Sequence, residues 1–380
     1  MREGWEYKKL GSLCKTGAGG TPLKSKSENY KNGTIPWLRS GEVNNKNITD
    51  CEIRITETGL NNSSAKLFPP RTVLIAMYGA TAGQVGILNF ECSTNQAVCG
   101  ILPNDNFVPE FLYYFFLKFK EELIAQAVGG AQPNISQQKI KNTLIPNITL
   151  EEQKQIVTLL DEAFKAIDQA KANIEKNIIN AKELFQSKLN DIFSQKGDGW
   201  EEKKFSEIFK LKSGDGLTAK NMIKGLFPVY GGNGIAGYHN NYNKDGKYLV
   251  IGRVGALCGN VRYLNDKFWL TDNAFHISEM KVEFNYNFLC YLLNLKDLRS
   301  YARQAAQPVI SNSSLKDVVI SYPKNISIQK EYANIFMLLK AENENIISIY
   351  QKKLANLEEL KKSILQKAFA GELAEKGVAL

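Results

Sequence analysis

The sequence is poor in histidine and has no closely spaced pair of cysteines. It has two histidines in 380 residues, and its six cysteines include no Cys-x-x-Cys pair. This pattern argues against a zinc site and a disulfide framework, and it favours a reducing compartment, so we expect a cytoplasmic protein. No apolar run reaches 18 residues and no apolar signal segment follows Met1, so we expect no membrane partner.

Catalytic motifs are missing as well. The sequence has no Walker lysine loop, no adenine-methylation tetrad of the Asn-Pro-Pro-Tyr type and no convincing Ser-His-Asp triad. The nearest text to the tetrad, Phe68-Pro69-Pro70-Arg71, lacks the required Asn or Asp. The glycine-rich run 17–20 is soon followed by Pro22, which favours a turn over a cofactor loop. We therefore expect a chain that is not an enzyme and binds no cofactor or metal.

What the sequence does contain is an internal repeat. Gly4-Trp5-Glu6 returns as Gly199-Trp200-Glu201 at an offset of 195, and the later matches have offsets close to 176. Those matches are 73–75 with 249–251, 79–85 with 255–261, 94–97 with 271–274, 131–136 with 306–311, and 183–193 with 359–369. Their common order predicts a duplication. The offset changes between segments 15–48 and 212–246, and variable segments on a shared scaffold usually carry specificity.

Each copy divides into two parts of different composition. All 11 prolines and 26 of the 29 glycines lie in 1–148 and 199–325. These two segments carry net charges of +4 and +6, whereas 149–198 and 326–380 carry −2 and +1. We therefore predict two basic globular domains, at 1–148 and 199–325, each followed by a helical segment.

The helical segments show long amphipathic patterns. Apolar residues at steps of three and four predict a helix of about 45 residues that begins near Thr149 and the acidic pair Glu151-Glu152. The second copy repeats the pattern, and its polar stretch at 342–345 would permit a break. Two separate surface helices are one interpretation. The length of both helices favours the other, an antiparallel coiled coil.

The globular parts show a mixture of strand and helix patterns. Apolar runs at 72–77 and 248–252 predict strands, and the spacing at 111–127 and 288–303 predicts helices. The predicted fold class is therefore α+β. Two globular α/β domains are separated by two long helices that form an antiparallel coiled coil, and the whole is a pseudo-two-fold internal repeat.

Both copies contain side chains suited to DNA, since Lys and Arg contact phosphates and Arg, Asn, Gln, Ser and Thr read base edges. Three sets recur at equivalent places, namely Gly79 with Gly255, Gln84 with Asn260, and Asn95-Gln96 with Asp272-Asn273. The candidates of the first copy are Thr21, Lys24, Lys26, Arg39, Ser40, Tyr78, Thr81, Gln84 and Gln96. Those of the second copy are Lys220, Tyr230, Gly232, Asn233, Tyr238, His239, Arg253, Asn260 and Arg262. Solvated loop residues are the alternative for any one of them, and scaffold glycines and amides are the alternative for the recurring positions.

In order along the chain, these motifs resemble the DNA-specificity subunit of type I restriction-modification enzymes, and the resemblance covers the whole chain. It rests on Gly4-Trp5-Glu6, Ile35-Pro36-Trp37, Asn95-Gln96, Gln132-Pro133-Asn134-Ile135, Leu150-Glu151-Glu152-Gln153 and the tail 362–373. Two positions depart from the family pattern. Thr149 stands where proline is usual, and Ile328-Gln329-Lys330 lacks the acidic pair.

The resemblance implies a non-catalytic subunit with target-recognition domains at 1–148 and 199–325, a central helical spacer at 149–198 and a C-terminal one at 326–380. Each domain would read half of a bipartite, asymmetric site in double-stranded DNA, while the helices set the gap and dock two methylation (M) subunits. The helix positions that would meet these partners are Ile156, Leu160, Ile167, Ile174, Leu184, Ile346, Leu357 and Ile364.

The resemblance also assigns the cofactors to the partners. S-adenosylmethionine would bind the methylation subunits, and ATP and Mg would bind two restriction (R) subunits that can join them. Two alternatives stay open. One is a helical-spacer scaffold that binds proteins without sequence-specific DNA recognition. The other is a fused restriction-modification enzyme, which the missing tetrad opposes.

Overall fold

The computed structural model describes residues 5–126, 134–303 and 307–372, in two compact units. Unit 1 comprises Met1–Ile174 and Lys352–Leu380, and unit 2 comprises Glu175–Gln351. Parts of the sequence motifs lie outside the described residues, namely Gly4, 131–133, Ala306 and Leu373.

Unit 1 is a mixed α/β domain, and its described residues form 11 short strands. The strands are β1 (Tyr7–Lys9), β2 (Thr16–Ala18), β3 (Ile35–Leu38), β4 (Asn47–Ile48), β5 (Ile53–Ile55), β6 (Leu67–Phe68), β7 (Val73–Ala76), β8 (Val85–Leu88), β9 (Cys92–Thr94), β10 (Val98–Ile101) and β11 (Leu144–Pro146). They form sheets in the orders β2-β10-β7-β8-β4, β5-β3-β9-β6 and β1-β11. The helices are α1 (Leu10–Leu13), α2 (Glu57–Asn61), α3 (Pro109–Lys118), α4 (Lys120–Ala125), α5 (Gln137–Asn142) and the part of the long α6 (Leu150–Ser194) up to Ile174.

The main core of unit 1 lies between the five-stranded sheet and α3. Strand β7 is buried along its whole length, as its apolar sequence predicts. Phe111 and Phe115 of α3 pack on this core and reach Phe369, with ring centroids 5.3 and 5.5 Å from it. The helix predicted at 111–127 is interrupted, because Phe119 leaves helical geometry with ψ 6°.

Unit 2 repeats this plan with fewer strands. These are β12 (Trp200–Lys204), β13 (Phe209–Ser213), β14 (Phe227–Gly231), β15 (Gly234–His239), β16 (Lys247–Gly252), β17 (Val261–Asn265), β18 (Trp269–Leu270), β19 (Ala274–Met280) and β20 (Val319–Pro323). The sheets run β13-β19-β16-β17, β15-β14-β18 and β12-β20. The helices are α7 (Phe205–Ile208), α8 (Tyr286–Leu295), α9 (Asn312–Leu315) and the part of the long α10 (Ile326–Ala370) up to Gln351.

The helix predicted at 288–303 is wrong beyond Leu295. Asp297 adopts a left-handed conformation with φ 44°, which ends the helical path. The chain then forms a 3₁₀ turn at Leu298–Tyr301. Leu298 is fully buried in the core of unit 2. The turn thus places this apolar side chain in the core, whereas a continuous helix would direct it differently.

The duplication is visible in matched backbone hydrogen bonds. The Gly83 amide donates to the Ala76 carbonyl at 2.8 Å, and the Gly259 amide donates to the Gly252 carbonyl at the same distance. Both glycines have positive φ, 78° and 87°, which explains why glycine recurs there. The recurrence of these positions therefore reflects the shared scaffold.

Both long helices are continuous and 45 residues long. Thr149 and Glu152 form a capping box at the start of α6, since the Thr149 hydroxyl accepts from the Glu152 amide and Glu152 accepts from the Thr149 amide. The break that the polar stretch 342–345 would permit is not present in α10. An ion pair at the i,i+4 spacing, Lys340 with Glu344, supports the helix there.

The two helices pair in antiparallel fashion. In unit 1, Lys171 contacts Glu358 at 2.7 Å and Asp168 contacts Lys361 at 2.8 Å. The partner number falls as the position along α6 rises, which is an antiparallel register. In unit 2, α6 and α10 meet where Phe193 stacks on Phe336 with centroids 5.1 Å apart. The interpretation as two separate surface helices is therefore wrong.

A buried glutamine ties each long helix to the globular part of its own unit. Gln153 is fully buried, and its Oε1 accepts from the Val108 amide at 2.9 Å. Its Nε2 donates to the carbonyls of Asn106 and Ile148 at 2.9 and 3.1 Å. These bonds satisfy loop groups that no strand or helix pairs.

Gln329 has the same role in unit 2. It is also fully buried, and its Oε1 accepts from the Asn285 amide at 2.9 Å while its Nε2 donates to the Pro323 carbonyl at 2.8 Å. It follows Gln153 by 176 residues, the offset of the repeat. The pair therefore marks one structural position used twice.

The burial of His276 predicts that unit 2 loses stability at acid pH. Its ring is buried, and burial lowers its pKa to about 4, with repulsion from Lys244 and Lys212 as further causes. The unfolded side chain has a pKa near 6.5. Between these two values the unfolded state binds a proton that the folded state does not, so stability falls as the pH decreases through this window.

We expect urea denaturation of the full chain to show a loss of about 1–2 kcal/mol from this group between pH 7 and pH 5. The variant His276→Gln should show a smaller pH dependence. An equal slope in the two proteins would contradict the assignment.

Candidate nucleic-acid interface

In unit 2 many of the candidate residues meet at the turn between β14 and β15. Gly232 lies so close to the loop after β16 that a Cβ there would be 2.1 Å from the Val254 carbonyl oxygen. The Asn233 Oδ1 accepts a hydrogen bond from the Leu257 amide at 2.9 Å, which fixes the same loop. Gly234 has φ 103°, a conformation that favours glycine. We call residues 230–234 and 253–262 the hairpin surface.

Two arginines flank the hairpin surface with donors that the protein does not use. The Nη1 of Arg262 and the Nε of Arg253 are buried without a hydrogen-bond partner among the described residues. Arg253 also donates to the Asp272 carbonyl at 3.3 Å and lies 5.3 Å from the Phe275 ring centroid. Burial lowers the pKa of Arg262. These two nitrogens are closed to solvent, so a phosphate or a guanine edge would meet the remaining nitrogens of the two guanidinium groups.

The arginines of the two units differ in their partners. Each described arginine of unit 1 forms an ion pair with a carboxylate: Arg39 with Glu52, Arg54 with Asp50 and Arg71 with Glu110. Across the described part of unit 2, none of the four arginines has a carboxylate within 4.0 Å. The four arginines of unit 2 are therefore not neutralised by a carboxylate of the described residues, whereas the described arginines of unit 1 each have such a partner.

In unit 1 the candidates gather near the ends of β2, β3 and β9. The Thr21 hydroxyl donates to Oε1 of Gln96. The Asn95 amide donates to the Leu38 carbonyl at 3.0 Å, which brings the residues after β3 alongside Gln96. The amide of Met77 donates to the carbonyl of Ala97, the residue after Gln96. Tyr78, which follows Met77, therefore lies near Gln96 as well. The structure thus brings together Thr21, Arg39, Ser40, Tyr78 and Gln96.

Two candidates of the second copy are structural instead. His239 is only 7% exposed, its Nδ1 accepts from the Ile223 amide at 3.0 Å, and its ring meets Trp269 edge-on. Its prediction as a DNA contact is wrong, because the ring is enclosed by its own unit. Gly232 is buried and serves the close backbone approach described above. Sequence alone places both in a glycine-rich loop and gives no sign of burial.

The other candidates lie at or near the surface. Lys24, Lys220, Tyr238 and Asn260 are exposed, and Lys26 is exposed beside Glu28 at 3.8 Å. Thr81, Tyr230 and Gln84 are half-buried. The Thr81 hydroxyl donates to the Tyr78 carbonyl, and the Tyr230 ring packs on Phe268. The Oε1 atom of Gln84 is buried. For these residues DNA contact stays a prediction.

The predicted partner-binding positions of the helices divide into two groups. Ile156, Leu160 and Ile167 are buried in the protein's own core, so the prediction that they meet a partner is wrong. The periodicity identifies their apolar face correctly, but the chain itself covers it. Half-buried positions are Ile174, Leu357 and Ile364, and exposed ones are Leu184 and Ile346. Further exposed apolar side chains on the long helices include Ile179, Leu338 and Ile349.

All six cysteines are free thiols, and five are buried. The described residues contain no group of three or more His, Cys, Asp and Glu that could hold a metal ion. No helix within the described ranges is long and apolar enough to span a membrane.

The family is decided by a match to two segments of the chain. Residues 2–180 and 197–359 both match the type I restriction modification DNA specificity domain. The chain belongs to this family. The specificity subunit is 28% identical to that of the EcoprrI enzyme of Escherichia coli, over 84% of this chain and 83% of the relative. It is 26% identical to that of the MjaIX enzyme of Methanocaldococcus jannaschii, over 97% and 93% of the two chains.

Solved structures show the same fold. The HsdS subunit of Thermoanaerobacter tengcongensis has a TM-score of 0.59 at 17% identity, over 98% of each chain. A chain from a study of complex assembly and conformational transition in the type I R-M system has a TM-score of 0.80 at 18% identity, over 98% of this subunit and 99% of that chain. The specificity subunit thus has two recognition domains and a long-helix pair, and it belongs to the non-catalytic part of such systems.

Proposed function

We propose that this specificity subunit reads a bipartite, asymmetric site in double-stranded DNA, one half with each unit. The observation that carries the proposal is a repeated scaffold with unequal recognition segments. Segment 15–48 contains β3 and β4, whereas segment 212–246 contains the β14–β15 hairpin. Because the scaffolds match and these segments do not, the two units are suited to the same kind of ligand but to different sequences.

In this proposal the recognition domains are 1–148 and 199–325, and the spacers are 149–198 and 326–380. The helix pair sets the gap between the half-sites, and its exposed apolar side chains dock two methylation subunits. Leu184 and Ile346, 61% and 36% exposed, are suitable docking positions. Apolar side chains that a chain leaves exposed along paired helices are typical of surfaces that receive further helices.

The partners supply the chemistry. The methylation subunits would bind S-adenosylmethionine and modify adenine, and two restriction subunits would bind ATP and Mg when they join. This chain would contribute the choice of DNA sequence and the geometry of assembly.

Salt dependence tests DNA reading against the scaffold alternative. We expect the complex of this chain with its methylation subunits to bind duplex DNA with an affinity that falls steeply as salt rises, since phosphate contacts release counterions. Methylation subunits alone are the control. Binding that is equal with and without this chain would favour a protein-binding scaffold.

Arg253 and Arg262 have no carboxylate partner among the described residues, and we expect their substitution to weaken DNA binding. Arg262→Ala and Arg253→Ala should each weaken binding to the specific duplex about tenfold or more, in line with the loss of a bidentate contact. Fluorescence anisotropy of the complex measures this. Arg71→Ala is the matched control, because its guanidinium is already paired with Glu110. Equal effects at Arg71 and Arg262 would contradict the assignment.

A further inference from the structure

An exposed apolar cluster lies in the recognition segment of unit 2. Ile223, Leu226 and Tyr238 are 60%, 89% and 55% exposed, and Leu226 is the most exposed large apolar side chain among the described residues. Single exposed apolar residues are ordinary, but a group of them usually marks a contact surface. None of these aliphatic side chains contributes to the core of unit 2.

The backbone that carries these three side chains is anchored at and around buried His239. The Ile223 amide donates to its Nδ1. Gly225 lies against the backbone of Asn240, where a Cβ would be 2.3 Å from the nitrogen, and Phe227 pairs with His239 in the β14–β15 register. Leu226 stands between these two anchored residues and Tyr238 directly precedes His239. The cluster is therefore built on fixed backbone.

The charge around the cluster is positive. Lys220 and Lys224 are exposed, and residues 216–244 contain no Asp or Glu. An apolar cluster between lysines and without carboxylates complements a polyanion that also offers apolar surface. Duplex DNA is such a ligand, because its phosphates flank base faces and thymine methyl groups.

Unit 1 has a counterpart in its own recognition segment. Leu23 is 63% exposed and is followed by exposed Lys24. Its loop is fixed, since the Leu23 carbonyl accepts from the buried Asn29 amide group at 3.0 Å and the Pro22 carbonyl accepts from the Tyr30 hydroxyl at 2.6 Å. Both units therefore present an aliphatic side chain next to a lysine on a held loop.

The position of these side chains discriminates between DNA and a protein partner. Two copies of one methylation subunit would need the same surface on both units, and the shared scaffold supplies that. Segments 15–48 and 212–246 differ in length and in secondary structure, so they cannot offer one surface twice. Two different half-sites require such a difference.

We propose that Leu226 and Ile223 in unit 2, and Leu23 in unit 1, are specificity-determining residues that make apolar contacts to bases, while the adjacent lysines bind phosphates. This inference rests on the proposed function, because it requires that each unit reads one half-site. It adds a mode of reading to the polar contacts of the hairpin surface.

The test uses the complex with methylation subunits and a duplex that carries the methylation motif mapped in the genome. Leu226→Ser should weaken binding to this duplex about tenfold, leave binding to a random duplex unchanged and leave the salt dependence unchanged. Lys224→Ala should weaken binding to both duplexes and reduce the salt dependence of that binding. Leu144→Ser is the matched control, because Leu144 is also an exposed leucine, 47% exposed, but lies on β11 outside the recognition segments.

A half-site experiment sharpens the assignment. Base changes confined to one half of the motif should reduce the binding of Leu226→Ser less than they reduce the binding of the unaltered complex. Base changes in the other half should have the same smaller effect on Leu23→Ser. If Leu226→Ser binds the motif as tightly as the unaltered complex, or weakens only assembly with the methylation subunits, the inference is overturned. A complex that does not prefer its motif or respond to salt would instead refute the proposed function.

Discussion

Replacing Gln153 with leucine should lower the free energy of unfolding of unit 1 by about 3–5 kcal/mol. The substitution keeps the volume of the side chain roughly constant but leaves the Val108 amide and the carbonyls of Asn106 and Ile148 without their partner. Each buried polar group left unpaired costs about 1–3 kcal/mol. Gln329→Leu should have a similar but smaller effect in unit 2, because Gln329 holds two backbone groups.

Denaturation by urea, followed by tryptophan fluorescence of the full chain, measures both variants. Gln351→Leu, at an exposed position of α10, is the control and should change stability by less than about 0.5 kcal/mol. A loss below about 1 kcal/mol in Gln153→Leu would show that water replaces the glutamine without penalty.

Shortening both long helices should change the gap of the recognised site and leave its two halves intact. Opposed residues of the pair have numbers that sum to 529, as for 168 with 361 and 171 with 358. Removal of 173–179 together with 350–356 preserves that register. Seven residues correspond to about 10.5 Å of helix, or about three base pairs.

The motif methylated by the shortened subunit, mapped across a genome, measures this prediction. Removal of 173–179 alone is the control, because it destroys the register and should abolish modification. A shortened pair that alters the half-sites and leaves the gap unchanged would contradict the role of the helices as a spacer.

The sequence predicts the architecture well because the architecture is repeated. Two copies of the same motifs locate the domains, and the apolar period of α6 gives its length to within a residue or two. The strand at 248–252 follows from its apolar run for the same reason. Such local patterns determine secondary structure when composition and period agree.

Long-range partners are what the sequence could not provide. The apolar face of α6 is evident at Leu160, but whether a partner or the chain itself covers it depends on tertiary packing. Likewise Arg71 and Arg262 look alike in sequence, and only the fold places Glu110 beside one and no carboxylate beside the other. His239 shows the same limit, because its burial depends on Trp269, 30 residues away.

The repeat itself contains a signal that sequence reasoning did not use. Gln153 and Gln329 share the offset of the matched motifs, and a polar residue retained at one position in both copies is a candidate for a buried hydrogen-bonding role. The same comparison separates scaffold from recognition. Gly83 and Gly259 agree in both copies and support turns, whereas Leu23 and Leu226 lie in the segments that differ.

The central claim is that this subunit gives each unit one half of a two-part DNA sequence to read. It is tested most directly by expressing the chain with its cognate methylation subunit in a host that lacks other adenine methylation, and mapping methylated adenines across the genome. We expect a gapped, two-part motif that disappears when this chain is omitted and in which exchange of segment 212–246 alters one half only. A continuous motif, or methylation that persists without the chain, would contradict the account.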